Sequence, residues 1–384
     1  MKGYLVKLYP NKSQAILLDK HFGACRWVYN KMIEISQKKY HRTGKSMSGY
    51  DMQAMLPKLK KQYPWLAEVN SQSLQIVCHN LADAYGRFFK KQAAYPCFKK
   101  KDSHDSFAAI NRSYFCGNKL KLQKISAIRF RGGDRPEGAV KKFTVKKIAG
   151  SYYASVLIDT GIVPPALQPP ERILGIDLGV KDVVVTSAGL HVPAPKYFIF
   201  SQKALKIRQR ALARCRKGSK NRAKARLRVA KLHQKISNQR KDFNHKLTHQ
   251  LVANSENQAF AVENLAVKNM LGNHKLAKHI ADCGWNQFIT FLNYKARDAG
   301  KHVIEVDRWF PSTKTCSACG IVRGKISLSE RQWKCGSCGS EHDRDRNAAT
   351  NIALEAGRDF AFDCGGNARP VAILANPVET RKCA

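Results

Sequence analysis

Ile173-Leu174-Gly175-Ile176-Asp177-Leu178-Gly179 opens with uninterrupted apolar residues, stops at an acid and turns at a glycine. A run of this kind reads as a buried strand with a carboxylate at its end. Val183-Val184-Val185-Thr186 follows as a second strand, Phe260-Ala261-Val262-Glu263 as another ending in an acid, and Val303-Ile304-Glu305-Val306 as a fourth. Residues 286–299 carry the apolar spacing of an amphipathic helix. Asp345 lies in Asp343-Arg344-Asp345-Arg346-Asn347-Ala348-Ala349, immediately before a helical pattern (Ala349, Ile352, Ala353), where it could also serve as an N-cap. Strands separated by helices imply an α/β core.

Upstream of this core the periodicity changes. Tyr4, Val6 and Leu8 alternate as a short strand, and helical spacing runs from Lys12 to about Tyr40 and again near 51–62 and 71–92. Between Phe107 and Asp159 the period becomes two, with Ala149-Gly150-Ser151 as a hairpin turn, which predicts a small antiparallel β-barrel that the N-terminal strand could join. Pro164-Pro165 and Pro169-Pro170 mark a linker.

The chain has 384 residues and a formal net charge of +40, with 43% apolar residues, so it can build cores and needs a polyanionic partner. Between Ala204 and Lys241 stand seven Lys and eight Arg with no acid, broken at Gly218-Ser219. This reads as a basic helical hairpin with Leu227, Leu232 and Ile236 as its seam, and its unpaired charge suits contact with nucleic acid better than a merely solvated face. The aromatics Trp27, Tyr29, Tyr95 and Phe98, beside Lys99-Lys100-Lys101, are candidate stacking platforms, with burial in a core as the competing reading. No apolar run reaches membrane-spanning length and the first residues lack a signal-peptide pattern, so a cytoplasmic protein without a membrane partner is expected.

Two groups of residues carry chemistry. Cys316-x-x-Cys319 and Cys335-x-x-Cys338, fifteen residues apart among twelve cysteines, have the spacing of two knuckles that bring four thiolates to one zinc ion. Four ligands close such a site, which makes it structural; His342 is a neighbour that could substitute but suits a polar supporting role. His245 and His249 have metal-pair spacing without a nearby carboxylate, and a metal role is not expected. Asp177, Glu263 and Asp345 form the second group. Carboxylates collected at sheet ends are ligands for magnesium, and two such ions about 4 Å apart can drive phosphodiester hydrolysis. One acid on each of three distant segments around strands and a helix resembles an RNase H-like nuclease core.

At the level of ordered motifs the chain resembles TnpB, the transposon-encoded, OrfB-type family of RNA-guided DNA nucleases related to type V CRISPR nucleases. The motifs are Gly175-Ile176-Asp177-Leu178-Gly179, Val262-Glu263-Asn264-Leu265, Pro311-Ser312-x-Lys314-Thr315-Cys316-Ser317-x-Cys319-Gly320 and His342-Asp343-Arg344-Asp345-x-Asn347-Ala348-Ala349-x-Asn351-Ile352, with Tyr9-Pro10, Trp27-x-Tyr29-Asn30 and Gly218-Ser219-Lys220-Asn221-Arg222 in support. The likeness spans roughly 1–356. It implies catalytic acids at Asp177, Glu263 and Asp345, the last chosen over Asp343 because the family's acid stands two residues before Asn347. It also implies zinc at Cys316, Cys319, Cys335 and Cys338, two magnesium ions on the acids, and a guide RNA.

The expected layout is a wedge-like β-barrel (1–10 and 107–165), a helical recognition segment (11–106), a RuvC-like nuclease domain (171–315 and 341–356), an inserted zinc module (316–340) and a flexible tail (357–384). The resemblance implies a magnesium-dependent endonuclease that cuts double-stranded DNA beside a short transposon-adjacent motif, acting as a monomeric ribonucleoprotein. An RNA-guided repressor without cleavage and an unguided transposase-associated nuclease are the alternatives.

Overall fold

The computed structural model describes residues 1–101, 105–110, 113–253, 256–324, 327 and 330–363, with the side chains of 359 and 361–363 left aside. The chain divides into two units, Met1–Ile162 and Val163 onward.

The first unit is built from β1 (Lys2–Tyr9), α1 (Lys12–Thr43), α2 (Gly49–Ala54), α3 (Leu56–Gln62), α4 (Ser71–Phe89), β2 (Ser106–Ala109), β3 (Tyr114–Cys116), β4 (Lys119–Leu122), β5 (Ile125–Arg131), β6 (Ala139–Ile148) and β7 (Ser151–Asp159). Asn11 starts α1 with a capping box against Gln14, and Gly44, at φ 64°, ends it. The seven strands lie in the order β2-β6-β7-β1-β5-β4-β3, all neighbours antiparallel. Ala149 and Gly150, both at positive φ, form the two-residue turn between β6 and β7.

The expected barrel is corrected here. Among the described residues β2 and β3 remain free edges, so the sheet is open. It is nevertheless rolled: Phe115 on β3 reaches Phe143 on β6, with ring centroids 5.6 Å apart. Edge strands of four and three residues offer too few backbone groups to close the seam, and aromatic packing fills it instead. The helices and the sheet share one hydrophobic core, from Leu18, Met32, Leu74 and Leu81 to Val145 and Val156.

The second unit contains β8 (Ile173–Asp177), β9 (Asp182–Thr186), β10 (His191–Pro193), α5 (Tyr197–Arg214), α6 (Lys220–Ala253), β11 (Ala259–Glu263), α7 (Val267–Met270), α8 (Ala277–Cys283), α9 (Trp285–Asp298), β12 (His302–Val306), β13 (Gln332–Lys334), β14 (Glu341–Asp343) and α10 (Arg344–Asp363). Its main sheet has the order β10-β9-β8-β11-β12. β9 pairs antiparallel with both β8 and β10, whereas β8, β11 and β12 are parallel.

Alternation along the strands divides the two faces. Leu174, Ile176, Phe260 and Val262 pack with Leu247, Phe288 and Leu292 from α6 and α9. Ile173, Ala259 and Ala261 pack with Ile352, Ala353 and Ala356 of α10. Small residues on this second face let α10 lie close. A Cβ on Gly175 would meet the Ala349 carbonyl oxygen at 1.8 Å.

α5 and α6 form the basic hairpin, turning at Gly218 (φ 83°). Its seam is Leu205, Leu232 and Ile236; Leu227, expected there, is 37% exposed. Where the sequence expectation begins a tail at 357, α10 continues to Asp363, and Phe360 packs edge-on against His302. The remainder of that expected tail lies outside the described residues. No helix among the described residues is long and apolar enough to cross a membrane.

Candidate active site and thiolate cluster

A period of two carries the face that holds α10 onward to the strand ends. Ile173, Gly175 and Asp177 share one face of β8, and Ala259, Ala261 and Glu263 share the same face of β11. In the parallel register Val262 stands beside Ile176, so the two acids emerge side by side. Such crevices at the carboxyl ends of parallel strands are favoured ligand sites. α10 delivers the third acid, Asp345, in its first turn.

Asp343, not Asp345, caps this helix. Its Oδ1 accepts the backbone N–H groups of Asp345 (3.1 Å) and Arg346 (2.9 Å), which leaves the Asp345 carboxylate for the crevice. Asp177 and Asp345 line one cleft of about 450 Å³ with Lys314, Arg331 and Arg344.

The electrostatics are those of a crowded acid. Burial, then the charges of Glu263 and Asp345, push the Asp177 carboxyl up to about 7, against the pull of Arg344 and the Leu178 N–H. Asp345 is held by Arg331 (2.5 Å) and Arg344 (3.0 Å), and Glu263 accepts a hydrogen bond from the Ser312 hydroxyl. Carboxylates that burial and mutual repulsion disfavour as anions are the oxygen ligand type that divalent cations take.

The loop from β12 toward the cysteines is clamped from α10. Asn351 donates to the carbonyls of Ser312 (2.7 Å) and Thr315 (2.6 Å). One turn earlier, Asn347 donates to Thr315 O (2.8 Å) and accepts from the Ser317 N–H (3.0 Å). Both asparagines are buried. They stand in the family-like motif, but their i, i+4 spacing carried no assigned role at the sequence level; Arg331 had no sequence signal at all.

The four cysteines meet. Their Sγ atoms all lie within 4.8 Å of one another, with Cys316–Cys338 and Cys319–Cys335 both at 3.7 Å. A tetrahedron with Zn–S bonds of about 2.3 Å has edges of about 3.8 Å, so the set fits zinc. Each knuckle has the same frame. Gly320 N–H bonds Cys316 O, Gly339 N–H bonds Cys335 O, and both glycines sit at positive φ (77° and 74°). His342 Nε2 lies 3.1 Å from Cys316 Sγ, as a partner of the sulfur and not a fifth member, and its ring packs on Trp333.

The remaining sequence candidates separate. Tyr29 is buried, with the Lys99 ammonium 4.0 Å above its ring. Trp27 packs against Tyr63 and Trp65, while Tyr95 and Phe98 are exposed. His245 stacks on Phe291 at 3.9 Å, and His249 is exposed.

Three family profiles match: OrfB_IS605, described as "Probable transposase", over residues 155–274; "Cas12f1-like, TNB domain" over 285–352; and "Helix-turn-helix domain" over 1–45, residues that here form β1 and one unbroken helix. The "Putative RNA-guided DNA endonuclease" of Streptomyces pristinaespiralis is 38% identical, covering 96% of this chain and 92% of its own. The similarly named InsQ of Escherichia coli (strain K12) is 32% identical over 95% and 94%. In fold, the chain resembles the protein in the "Cryo-EM structure of the Cas12f1-sgRNA-target DNA complex", with a TM-score of 0.58 at 16% identity over 90% of this chain and 83% of that one. The chain therefore belongs to the OrfB/TnpB family of RNA-guided DNA endonucleases.

Proposed function

We propose that this protein is a magnesium-dependent, guide-RNA-directed DNA endonuclease of a transposable element. The observation that carries this reading is the meeting of Asp177 and Glu263, at the carboxyl ends of the parallel strands β8 and β11, with Asp345 of the first turn of α10. The strand order β10-β9-β8-β11-β12, antiparallel and then parallel, supports an RNase H-like (RuvC-like) core.

In this reading Asp177, Glu263 and Asp345 would together hold the magnesium ions. When bound there, the metals lower the pKa of an attacking water and stabilise the leaving oxygen of a phosphodiester. Ser312 orients Glu263, Asp343 frees Asp345 by capping α10, and Arg331, Arg344 and Lys314 supply positive charge toward the phosphate path. The four cysteines hold a structural zinc.

The net charge of +40 and the acid-free hairpin 204–241 suit a resident guide RNA and a double-stranded DNA target, assembled as a monomeric ribonucleoprotein. Guide pairing supplies target sequence, while the protein reads a short flanking duplex motif.

The test is purification with associated RNA, sequencing of that RNA, and cleavage of a matching target in magnesium or EDTA. Asp177→Ala is expected to abolish cutting while RNA and target stay bound. Cleavage by that variant refutes the active-site assignment. Isolation without discrete RNA favours an unguided nuclease, and binding without cutting in magnesium favours a repressor.

A further inference from the structure

Trp309 is 84% exposed, more than any other described aromatic residue. Leaving a large indole in water forgoes substantial apolar burial, yet this one is presented on a hydrogen-bonded turn. The Asp307 carboxylate accepts the Trp309 N–H at 2.7 Å, and Phe310 N–H bonds Asp307 O. Phe310 anchors the turn against the α10-side core. Before Trp309, the Arg308 guanidinium grips Asn264 through its backbone and side-chain oxygens, at 3.1 and 3.0 Å.

Both ends of this turn are tied to Glu263. Val306 is its register partner on β12, and Ser312 hydrogen-bonds its carboxylate. Trp309 is therefore three residues from each tie, and the same loop continues into Thr313 and Lys314, which line the acid cleft. A solvent-facing indole on a hydrogen-bonded turn, with a cationic loop at the edge of a phosphodiester site, has the make-up of a base-stacking platform.

We propose that Trp309 stacks on an unpaired nucleobase of the DNA strand being cut, holding that strand beside Asp177, Glu263 and Asp345. This rests on the nuclease reading above and adds a substrate-positioning residue to it. Stacking uses the π-face of the base, so the contact is tolerant of sequence.

The test uses the protein with its copurified RNA and target DNA carrying 2-aminopurine near the cut position, in the Asp177→Ala background to stop turnover. Fluorescence quenching on binding is expected, to be lost in Trp309→Ala and kept in Trp309→Phe. With Asp177 intact, Trp309→Ala is expected to raise KM about tenfold, with kcat changed less, and with Tm and zinc content as in the parent. Equal quenching with and without the indole, or an unchanged KM, overturns the assignment of Trp309 alone. Failure of the parent complex to cut in magnesium instead overturns the nuclease reading.

Discussion

A Cβ placed on Gly175 would stand 1.8 Å from the carbonyl oxygen of Ala349, so β8 and α10 touch backbone to backbone. That contact seats Asp345 over Asp177, because each acid lies a few residues from it on its own element. Gly175→Ala must push the helix outward. We expect a loss of about 1–3 kcal/mol in stability and a larger loss of cleavage, measured by thermal unfolding and a cleavage time course. A variant with parental Tm and rate refutes the proposed role of this contact.

Asn351 satisfies two carbonyls of the loop that carries Ser312. Asn351→Ala takes this donor from the buried Ser312 carbonyl, while Thr315 O keeps Asn347, and is expected to cost about 1–3 kcal/mol. Cleavage should fall through kcat, since Ser312 then no longer holds Glu263 in place. An unaltered kcat alongside a lowered Tm makes Asn351 purely structural.

The thiolate set predicts one zinc per chain by elemental analysis. Cys335→Ser, or stripping with a strong chelator, should remove it and loosen the segment that presents Arg331 to Asp345, with cleavage lost. The unfolding transition of Met1–Ile162, a unit with its own core, should shift little. Full zinc content in Cys335→Ser contradicts the ligand assignment.

His21 sets a pH dependence for the first unit. The ring is 1% exposed, with Nδ1 2.7 Å from Leu17 O and Nε2 accepting the Asn70 N–H at 3.1 Å, an arrangement only the neutral ring can make. Burial pushes its pKa down, and the nearby Lys124 charge adds to this. The unfolded chain takes up a proton near the ordinary value of about 6.5 while the folded one resists. Stability should hold above that pH and decline from about 6.5 toward 5, by at most about 1.4 kcal/mol per unit. Thermal unfolding of the parent and His21→Gln across this range checks it; the variant should start lower and lose the slope assigned to this ring.

The cysteine spacing, the acid-terminated strands, the basic hairpin and the two-residue turn at Ala149-Gly150 were all readable from the chain, because each is written in a few neighbouring residues. A Cys-x-x-Cys turn closes on itself, and a strand ending in an acid declares its face by alternation.

Tertiary packing decided the rest. It kept the seven-stranded sheet open, buried Tyr29 and half-buried Trp27 while leaving Tyr95 and Phe98 outside, and extended α10 beyond 356. It also separated Asp343 from Asp345, giving one the helix cap and the other the cleft. Arg331, Ser312 and the two asparagines act on partners up to 49 residues away in the chain. Local spacing specifies turn and strand geometry, but such distant meetings exist only once the helix and the sheet have packed.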